Sequence, residues 1–91
     1  MEEALSKEVF VRNKMGLHAR PAAMLAREAA KFNSAVMLSM DSNEVDAKSV
    51  LDILSLAAAQ GSQLQIKATG RDASDALEHL EKLFQFGFEE E

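Results

Sequence analysis

Residues 7–23, KEVFVRNKMGLHARPAA, run from a strand pattern into a helical pattern through a short turn. In KEVFVR (7–12), apolar and polar residues alternate, which places Val9 and Val11 on one face and predicts a β-strand. NKMG (13–16) is typical of a turn, because glycine adopts positive φ without steric cost. A histidine and an arginine then stand where the helix begins, although a helix that only buries an apolar face needs neither.

The helix that follows is predicted from Pro21 to Phe32. Proline suits the first turn of a helix, because no backbone N–H is needed there. Apolar residues recur at spacings of three and four, which is the period of one helix face. These residues are Ala22, Leu25, Ala26, Ala29 and Phe32.

The rest of the chain alternates between strand and helix patterns. Strict apolar alternation predicts strands over 35–40 and 63–70. Between them, a turn over 41–44 leads to Val45 and Ala47, which predict a short paired strand.

Two further helices are predicted. SVLDILSLAAAQG (49–61) has Ser49 as its N-cap and Gly61 as its C-terminal stop. DASDALEHLEKLF (72–84) has Asp72 as a candidate cap and a continuous apolar stripe. The order β-α-β-β-α-β-α predicts an α+β fold, an open-faced β-sandwich. In it, a four-stranded antiparallel sheet carries three helices on one face.

Length and composition exclude several classes of protein. Ninety-one residues suit a single domain over 1–91, with a short acidic tail at 86–91. A net charge of −5 and the absence of tryptophan and tyrosine oppose nucleic-acid binding. There is no cysteine for disulfides or thiolate metal sites. Neither a secretory signal nor an apolar run near the roughly 18 residues of a membrane span is present. We therefore expect a cytoplasmic protein that binds neither nucleic acid nor membrane.

His18 lies where the first helix begins, and its surroundings suit an anion. Histidine has an ordinary pKa of about 6.5, which leaves a neutral ring nitrogen abundant at neutral pH. A helix N-terminus presents unpaired N–H groups and the positive end of the helix dipole. Arg20 adds a guanidinium group that suits phosphate oxygens, and Gly16 lets the loop approach closely. The stretch therefore predicts a transient phosphohistidine, because phosphoryl transfer needs mainly positioning and charge stabilisation.

The alternative is that His18 is an ordinary surface histidine near a helix start. His79 has that character, because it lies among Glu78, Glu81 and Lys82 on the polar side of the last helix, where we expect it to be solvated. No second histidine, cysteine or carboxylate stands near His18 in the sequence, so neither a metal site nor a hydrolytic triad is supported. We expect no metal and no cofactor.

GLHARPA (16–22) resembles the active-site signature of HPr, the histidine-containing phosphocarrier family of the bacterial phosphoenolpyruvate-dependent phosphotransferase system. The resemblance covers about residues 7–85, and the element order is similar to that family's open-faced sandwich. A second family landmark, a Lys-Ser pair that opens the short helix, is matched by Lys48 and Ser49 at the family's distance from the histidine.

The resemblance implies that His18 accepts a phosphoryl group, on Nδ1 in the family, from phosphorylated enzyme I, which obtains it from phosphoenolpyruvate. His18 would then pass the group to enzyme IIA. Arg20 would stabilise the phosphoryl group, while Gly16, Ala19 and Pro21 would shape the loop. The chain would be a monomeric phosphocarrier of sugar transport and no enzyme, since it is the product of one transfer and the substrate of the next.

The short helix from Ser49 has too many apolar residues for one inward stripe. We expect Ile53 and Leu56 to face the core. The remaining apolar residues would form a partly exposed docking surface, as exposed apolar patches usually mark a contact site; they are Val50, Leu51 and Leu54. The resemblance implies that enzyme I and the enzymes II dock here, and ordinary core packing with some exposure is the alternative.

Ser49 has two interpretations. As an N-cap it contributes about 1 kcal/mol to the helix. By resemblance to Gram-positive members, it is also the regulatory serine that HPr kinase/phosphorylase modifies. A phosphate there would add about two negative charges beside the docking surface.

Two other functions stay open. One is a nitrogen-related or regulatory HPr paralogue. The other, from a different class, is a small allosteric module in which His18 and Arg20 hold an anion noncovalently. The chain also departs from the family: Ala57 stands where glycine is frequent, and Phe86 and Phe88 extend past the usual end. These two phenylalanines either fold back on the core or belong to a loose tail.

Overall fold

The computed structural model describes residues 3–89, which form four strands, three α-helices and a C-terminal 3-10 turn. The elements in chain order are β1 (Ala4–Phe10), α1 (Ala19–Ala29), β2 (Ala35–Met40), β3 (Asn43–Asp46), α2 (Val50–Ser55), β4 (Gln63–Thr69), α3 (Ala73–Gln85) and η1 (Gly87–Glu89). The predicted order of elements and the α+β class are confirmed. None of the helices in this range is long and apolar enough to cross a bilayer.

The strands form one antiparallel sheet in the order β1-β4-β2-β3. In the register of this sheet, Val9 of β1 lies opposite Leu64 of β4, and Leu38 of β2 lies opposite Ile66. All four side chains are buried, whereas Gln65 between the two β4 positions is exposed. Alternate residues therefore face the helical layer, as the two-residue period of a strand requires, and the other face of the sheet stays open.

The core lies between the sheet and the two long helices. Leu25 of α1 and Leu80 of α3 are completely buried, and Phe84 closes the C-terminal end of α3. Full burial of such a side chain stabilises the fold by about 1.5–3 kcal/mol. Ala22 and Ala29 are buried beside Leu25, so the predicted inner face of α1 is confirmed.

Some predicted boundaries were wrong. β1 lies earlier than the predicted 7–12, because it pairs with β4 from Ala4 to Phe10. The helix predicted from Pro21 already begins at Ala19, and it ends at Ala29 rather than at Phe32.

α2 is shorter than the predicted 49–61 and ends at Ser55. Ala57 adopts the left-handed region with φ +51, and Gly61 lies later in the loop to β4 rather than at the helix end. Alanines favour a helix, but here a tertiary contact prevails over that propensity. The carbonyl of Ala58 accepts a hydrogen bond from the N–H of Leu17 at 2.9 Å, which fixes the loop against the segment before α1.

The two predicted caps had different outcomes. Ser49 is the N-cap of α2, and its Oγ accepts a hydrogen bond from the N–H of Asp52 at 3.2 Å, as predicted. Asp72 is the N-cap residue of α3, as predicted, but its side chain makes no capping bond there. Its carboxylate accepts hydrogen bonds from the Ser34 hydroxyl and from the N–H groups of Asn33 and Ser34. These hydrogen bonds lower the pKa of Asp72, and the bond from the Ser34 hydroxyl has the largest effect. They also connect the segment before β2 to the start of α3.

Candidate functional site

His18 is the N-cap residue of α1 and is half-buried. Its backbone is extended (φ −80, ψ −168), and its carbonyl accepts the N–H of Ala22 at 3.0 Å, the first bond of the helix. Within residues 3–89, the His18 side chain makes no capping hydrogen bond to the first turn, and that turn contains no acidic residue. The positive end of α1 therefore opens beside the ring, an arrangement that suits an anion.

The turn before His18 depends on Gly16. The N–H of Gly16 donates to the carbonyl of Asn13 at 2.9 Å, and Gly16 adopts φ +70. A Cβ at this position would lie 2.4 Å from the carbonyl oxygen of Ala58, closer than real Cβ contacts allow. The loop after α2 thus packs so closely that only glycine fits.

Further hydrogen bonds join the same two loops. The N–H of Val11 donates to the carbonyl of Ser62 at 3.0 Å, and the N–H of Gly61 donates back to Val11 at 2.8 Å. The side-chain amide of Gln60 donates to the carbonyl of Arg12 at 3.1 Å. One flank of the His18 loop is therefore held mainly by backbone hydrogen bonds.

The opposite flank contacts the C-terminal turn. Nδ2 of the buried Asn13 donates to the carbonyl of Gly87 at 2.7 Å. Phe88 is buried edge-on against Phe84, with 4.9 Å between the ring centroids, whereas Phe86 is exposed. The two phenylalanines left open by the sequence thus differ: Phe88 folds back on the core and Phe86 does not.

His18 lines a cleft of about 770 Å³ between this turn and the start of α1. Among residues 3–89, three cationic side chains, Lys14, Arg20 and Arg27, share the lining with one carboxylate, that of Glu89. Of the residues predicted around His18, Arg20 and Pro21 line the cleft, whereas Gly16 and Ala19 are not among its described lining residues. The three cations suit an anionic group. In the described part of the chain, no three His, Cys, Asp or Glu side chains gather as a metal site would require.

The predicted docking surface belongs to α2, and none of its three residues is in the cleft lining. Ile53 and Leu56 of the α2 region are buried, as predicted. Val50 and Leu54 are half-buried against the core, and Leu51 is 78% exposed. α2 packs against α1, the helix that begins beside His18, and the cleft lining contains no α2 residue among those described.

Sequence reasoning missed a contact between α1 and α3. Nε2 of His79 lies 2.6 Å from Oε1 of Glu28, and the His79 ring lies 5.7 Å from that of Phe32. His79 is exposed, as expected, yet its ring contacts both Glu28 and Phe32. The hydrogen bond from His79, followed by that from Lys31, lowers the pKa of Glu28. The two residues of this pair stand far apart in the sequence, so no local pattern announces it.

Comparison with known proteins identifies the family. The family model described as PTS HPr component phosphorylation site matches residues 5–85. The chain is 45% identical over 85 residues to phosphocarrier protein HPr of Treponema pallidum, covering 93% of this chain and 97% of that one. It is 43% identical over 76 residues to the HPr-like protein Crh of Bacillus subtilis, covering 84% and 89%.

The fold agrees with this similarity. The crystal structure of HPr-C-His from Thermoanaerobacter tengcongensis superposes with a TM-score of 0.92 at 38% identity, covering 96% of this chain and 98% of that one. The matches in sequence and in structure extend over nearly the whole chain. The chain therefore belongs to the HPr family, the phosphocarrier proteins of the phosphotransferase system.

Proposed function

We propose that this chain is a phosphocarrier of sugar transport, in which His18 accepts a phosphoryl group from phosphorylated enzyme I and passes it to enzyme IIA. The observation that carries the proposal is the position of His18 as the N-cap residue of α1, in a cleft that the described Lys14, Arg20 and Arg27 also line. The group originates in phosphoenolpyruvate. The chain is then a carrier rather than an enzyme, because each transfer changes it and the next transfer restores it.

The transfer is a displacement at phosphorus. The lone pair of His18 Nδ1 forms a bond to phosphorus while the bond to the donor atom of enzyme I breaks, and that electron pair returns to enzyme I. Nδ1 must be unprotonated, so the ring proton resides on Nε2. Arg20 and the N-terminus of α1 stabilise the charge on the phosphoryl oxygens. Passing the group to enzyme IIA repeats the displacement with His18 as the leaving group.

The loop-shaping roles of Gly16, Ala19 and Pro21 follow from their positions. Gly16 permits the close approach to the loop after α2. Ala19 is small and exposed next to His18, so it leaves room for a partner. Pro21 is buried in the first turn, where its fixed φ suits the helix.

Enzyme I and enzyme IIA dock on Val50, Leu51 and Leu54. The proposal is supported by Leu51, a large apolar side chain that is mostly exposed on α2, a helix that packs against α1. Ser49, at the start of the same helix, is the site for HPr kinase/phosphorylase, since a phosphate there would bring about two negative charges to this surface. Treatment with such a kinase that leaves Ser49 unmodified would remove this regulatory role.

The chain acts as one domain over residues 1–91 and as a monomer in the cytoplasm. Light scattering across a range of protein concentrations tests the monomer. A mass that rises to twice that of one chain would contradict it.

Two alternatives are each favoured by one observation. The similarity to Crh, described as the catabolite repression HPr of Bacillus subtilis, favours a regulatory paralogue. A nitrogen-related paralogue belongs to the same alternative. The three cationic side chains around His18 favour noncovalent anion binding. Reconstituting the phosphoryl relay with a complete sugar-specific enzyme II from the same cell separates the carrier from the paralogue.

The decisive experiment is phosphorylation by enzyme I and phosphoenolpyruvate. We expect one acid-labile, base-stable phosphate, which His18→Ala abolishes. His79→Ala is the matched control, because His79 is the second of the two histidines and lies outside the cleft lining; it should keep the label. A label that survives in His18→Ala contradicts the assignment, and anion binding without any label indicates the noncovalent module.

A further inference from the structure

We propose that Asn13, Gly87 and Phe88 form a latch that positions the His18 loop for phosphoryl transfer, with Asn13 as the positioning residue. The inference rests on the proposed function of His18. It deepens that function by assigning a role to the C-terminal turn.

Asn13 connects the two ends of the described chain at the site. Its side chain donates to the carbonyl of Gly87 at 2.7 Å, across 74 positions of sequence. Its own carbonyl accepts the N–H of Gly16 at 2.9 Å and so closes the turn that precedes His18. Asn13 is only 6% exposed, in a core otherwise almost entirely apolar. A buried polar side chain keeps a fixed geometry when its hydrogen bond is made, so the turn before His18 is oriented from the C-terminal end.

The C-terminal turn is held by tertiary contacts rather than by local preference. Gly87, Phe88 and Glu89 all have positive φ, at +58, +55 and +66. Glycine accepts this region, but side-chain-bearing residues enter it at a cost and remain there only when their surroundings fix them. The burial of Phe88 against Phe84 supplies that constraint. Strain of this kind next to a reactive side chain favours a positioning role.

The latch reaches the reactive ring through the cleft wall. Phe88 and Glu89 line the cleft together with Lys14 and Met15, the two residues at the centre of the turn that Asn13 closes. Movement of the latch therefore displaces the wall that faces His18. The other flank is fixed by backbone hydrogen bonds, which a side-chain substitution does not remove.

The test compares Asn13→Ala with Gln60→Ala. Gln60 makes a side-chain hydrogen bond to the carbonyl of Arg12 on the other flank, but it is exposed and does not line the cleft. For phosphoryl transfer from phosphorylated enzyme I, we expect Asn13→Ala to lower kcat about tenfold, because a small misplacement of a reacting group slows its chemistry strongly. KM should stay within about twofold, since the docking helix is untouched. Gln60→Ala should match the wild type in both parameters.

A second pair of variants distinguishes loss of the latch from general unfolding. Phe88→Ala should lower kcat like Asn13→Ala, and Phe88→Leu should restore much of it by refilling the same space. All rates are measured well below each variant's Tm, with circular dichroism confirming the folded state. Ring chemical shifts of His18, measured by NMR without any partner, should move in Asn13→Ala and not in Gln60→Ala.

Three results would overturn the latch. These are a folded Asn13→Ala that transfers at the wild-type rate, an equal loss in Gln60→Ala, or losses that follow Tm alone across the four variants. Failure of the proposed function looks different, because the wild-type protein would then take up no label. A labelled wild type with an equally fast Asn13→Ala rejects the latch alone.

Discussion

The N-termini of α1 and α2 have the same backbone role but different side chains. At α2, Ser49 accepts the N–H of Asp52, and the carboxylate of Asp52 stands in the first turn. At α1, His18 occupies the N-cap position without a capping side-chain bond in residues 3–89, and the first turn has no acidic residue. A good cap contributes about 1 kcal/mol, so α1 forgoes stability that α2 gains. α2 is therefore capped by the hydroxyl of its own N-cap residue, whereas the N-cap residue of α1 supplies no such bond in the described range, an arrangement that suits an anion.

Gly16→Ala tests whether the open end depends on the close loop contact. We expect the free energy of unfolding to fall by about 3 kcal/mol, since the left-handed conformation and the overlap with the Ala58 carbonyl both oppose a Cβ. Urea denaturation measures the change. Labelling of His18 should fall as well.

Gly61→Ala is the matched control for this substitution. Gly61 also has positive φ, +89, but a Cβ there would meet nothing within 4 Å. The loss should then be about 1–2 kcal/mol, from the backbone conformation alone. Equal losses at the two glycines would show that the contact with Ala58 contributes nothing.

Exchanging caps between the two helix ends tests the comparison directly. Ser49→Ala should lower the free energy of unfolding by about 1 kcal/mol. Because the backbone at residue 18 is also extended, His18→Ser should be more stable than His18→Ala by about the same 1 kcal/mol. Thermal or urea denaturation of the three variants provides the values. A serine at residue 18 that stabilises nothing would mean that the α1 end differs in backbone geometry as well as in side chain.

What the sequence could predict depended on how far apart the interacting residues stand. The alternation in 35–40 and 63–70 gave the buried faces of two strands, and the stretch 16–22 contained most of the predicted site. The bonds from Asn13 to Gly87 and from His79 to Glu28 join positions far apart in the chain. No local pattern encodes such a pairing.

The end of α2 shows that a local pattern can also predict structure that the folded chain does not form. The alanines after Ser55 favour continuation of the helix by propensity. The contact between Ala58 and Leu17 selects a loop instead, and only the folded chain contains it. Asp72 likewise has the residue type of a cap, but its carboxylate accepts hydrogen bonds from the N–H groups of Asn33 and Ser34 instead of from the first turn of α3.

Ala57→Gly should produce a small gain. Ala57 is exposed with φ +51, directly before the carbonyl that receives the N–H of Leu17. Glycine relieves the left-handed strain but adds entropy to the unfolded chain, which leaves a net stabilisation of about 0.5 kcal/mol. Calorimetry should show a higher Tm with unchanged labelling of His18. A lower Tm would mean that the Ala57 methyl group makes a contact worth more than the strain.

Leu51→Glu should have the smallest effect on stability among these substitutions, but it should strongly weaken phosphoryl exchange with partner proteins. Leu51 is largely exposed, so removing it opens no cavity, and the free energy of unfolding should stay within about 0.5 kcal/mol of the wild-type value. An apolar side chain at the centre of an interface can contribute much of the binding energy. Replacing Leu51 by glutamate should therefore raise KM for phosphorylated enzyme I about tenfold. Phe10→Glu is the control, because Phe10 is an exposed apolar residue at the end of β1, opposite Gln63 of β4, and should leave KM unchanged. If Leu51→Glu instead destabilises the fold in proportion to its loss of exchange, α2 packs as ordinary core. The comparison of the two helices would then reduce to their caps, because α2 would close its own N-terminus without offering a face to a partner.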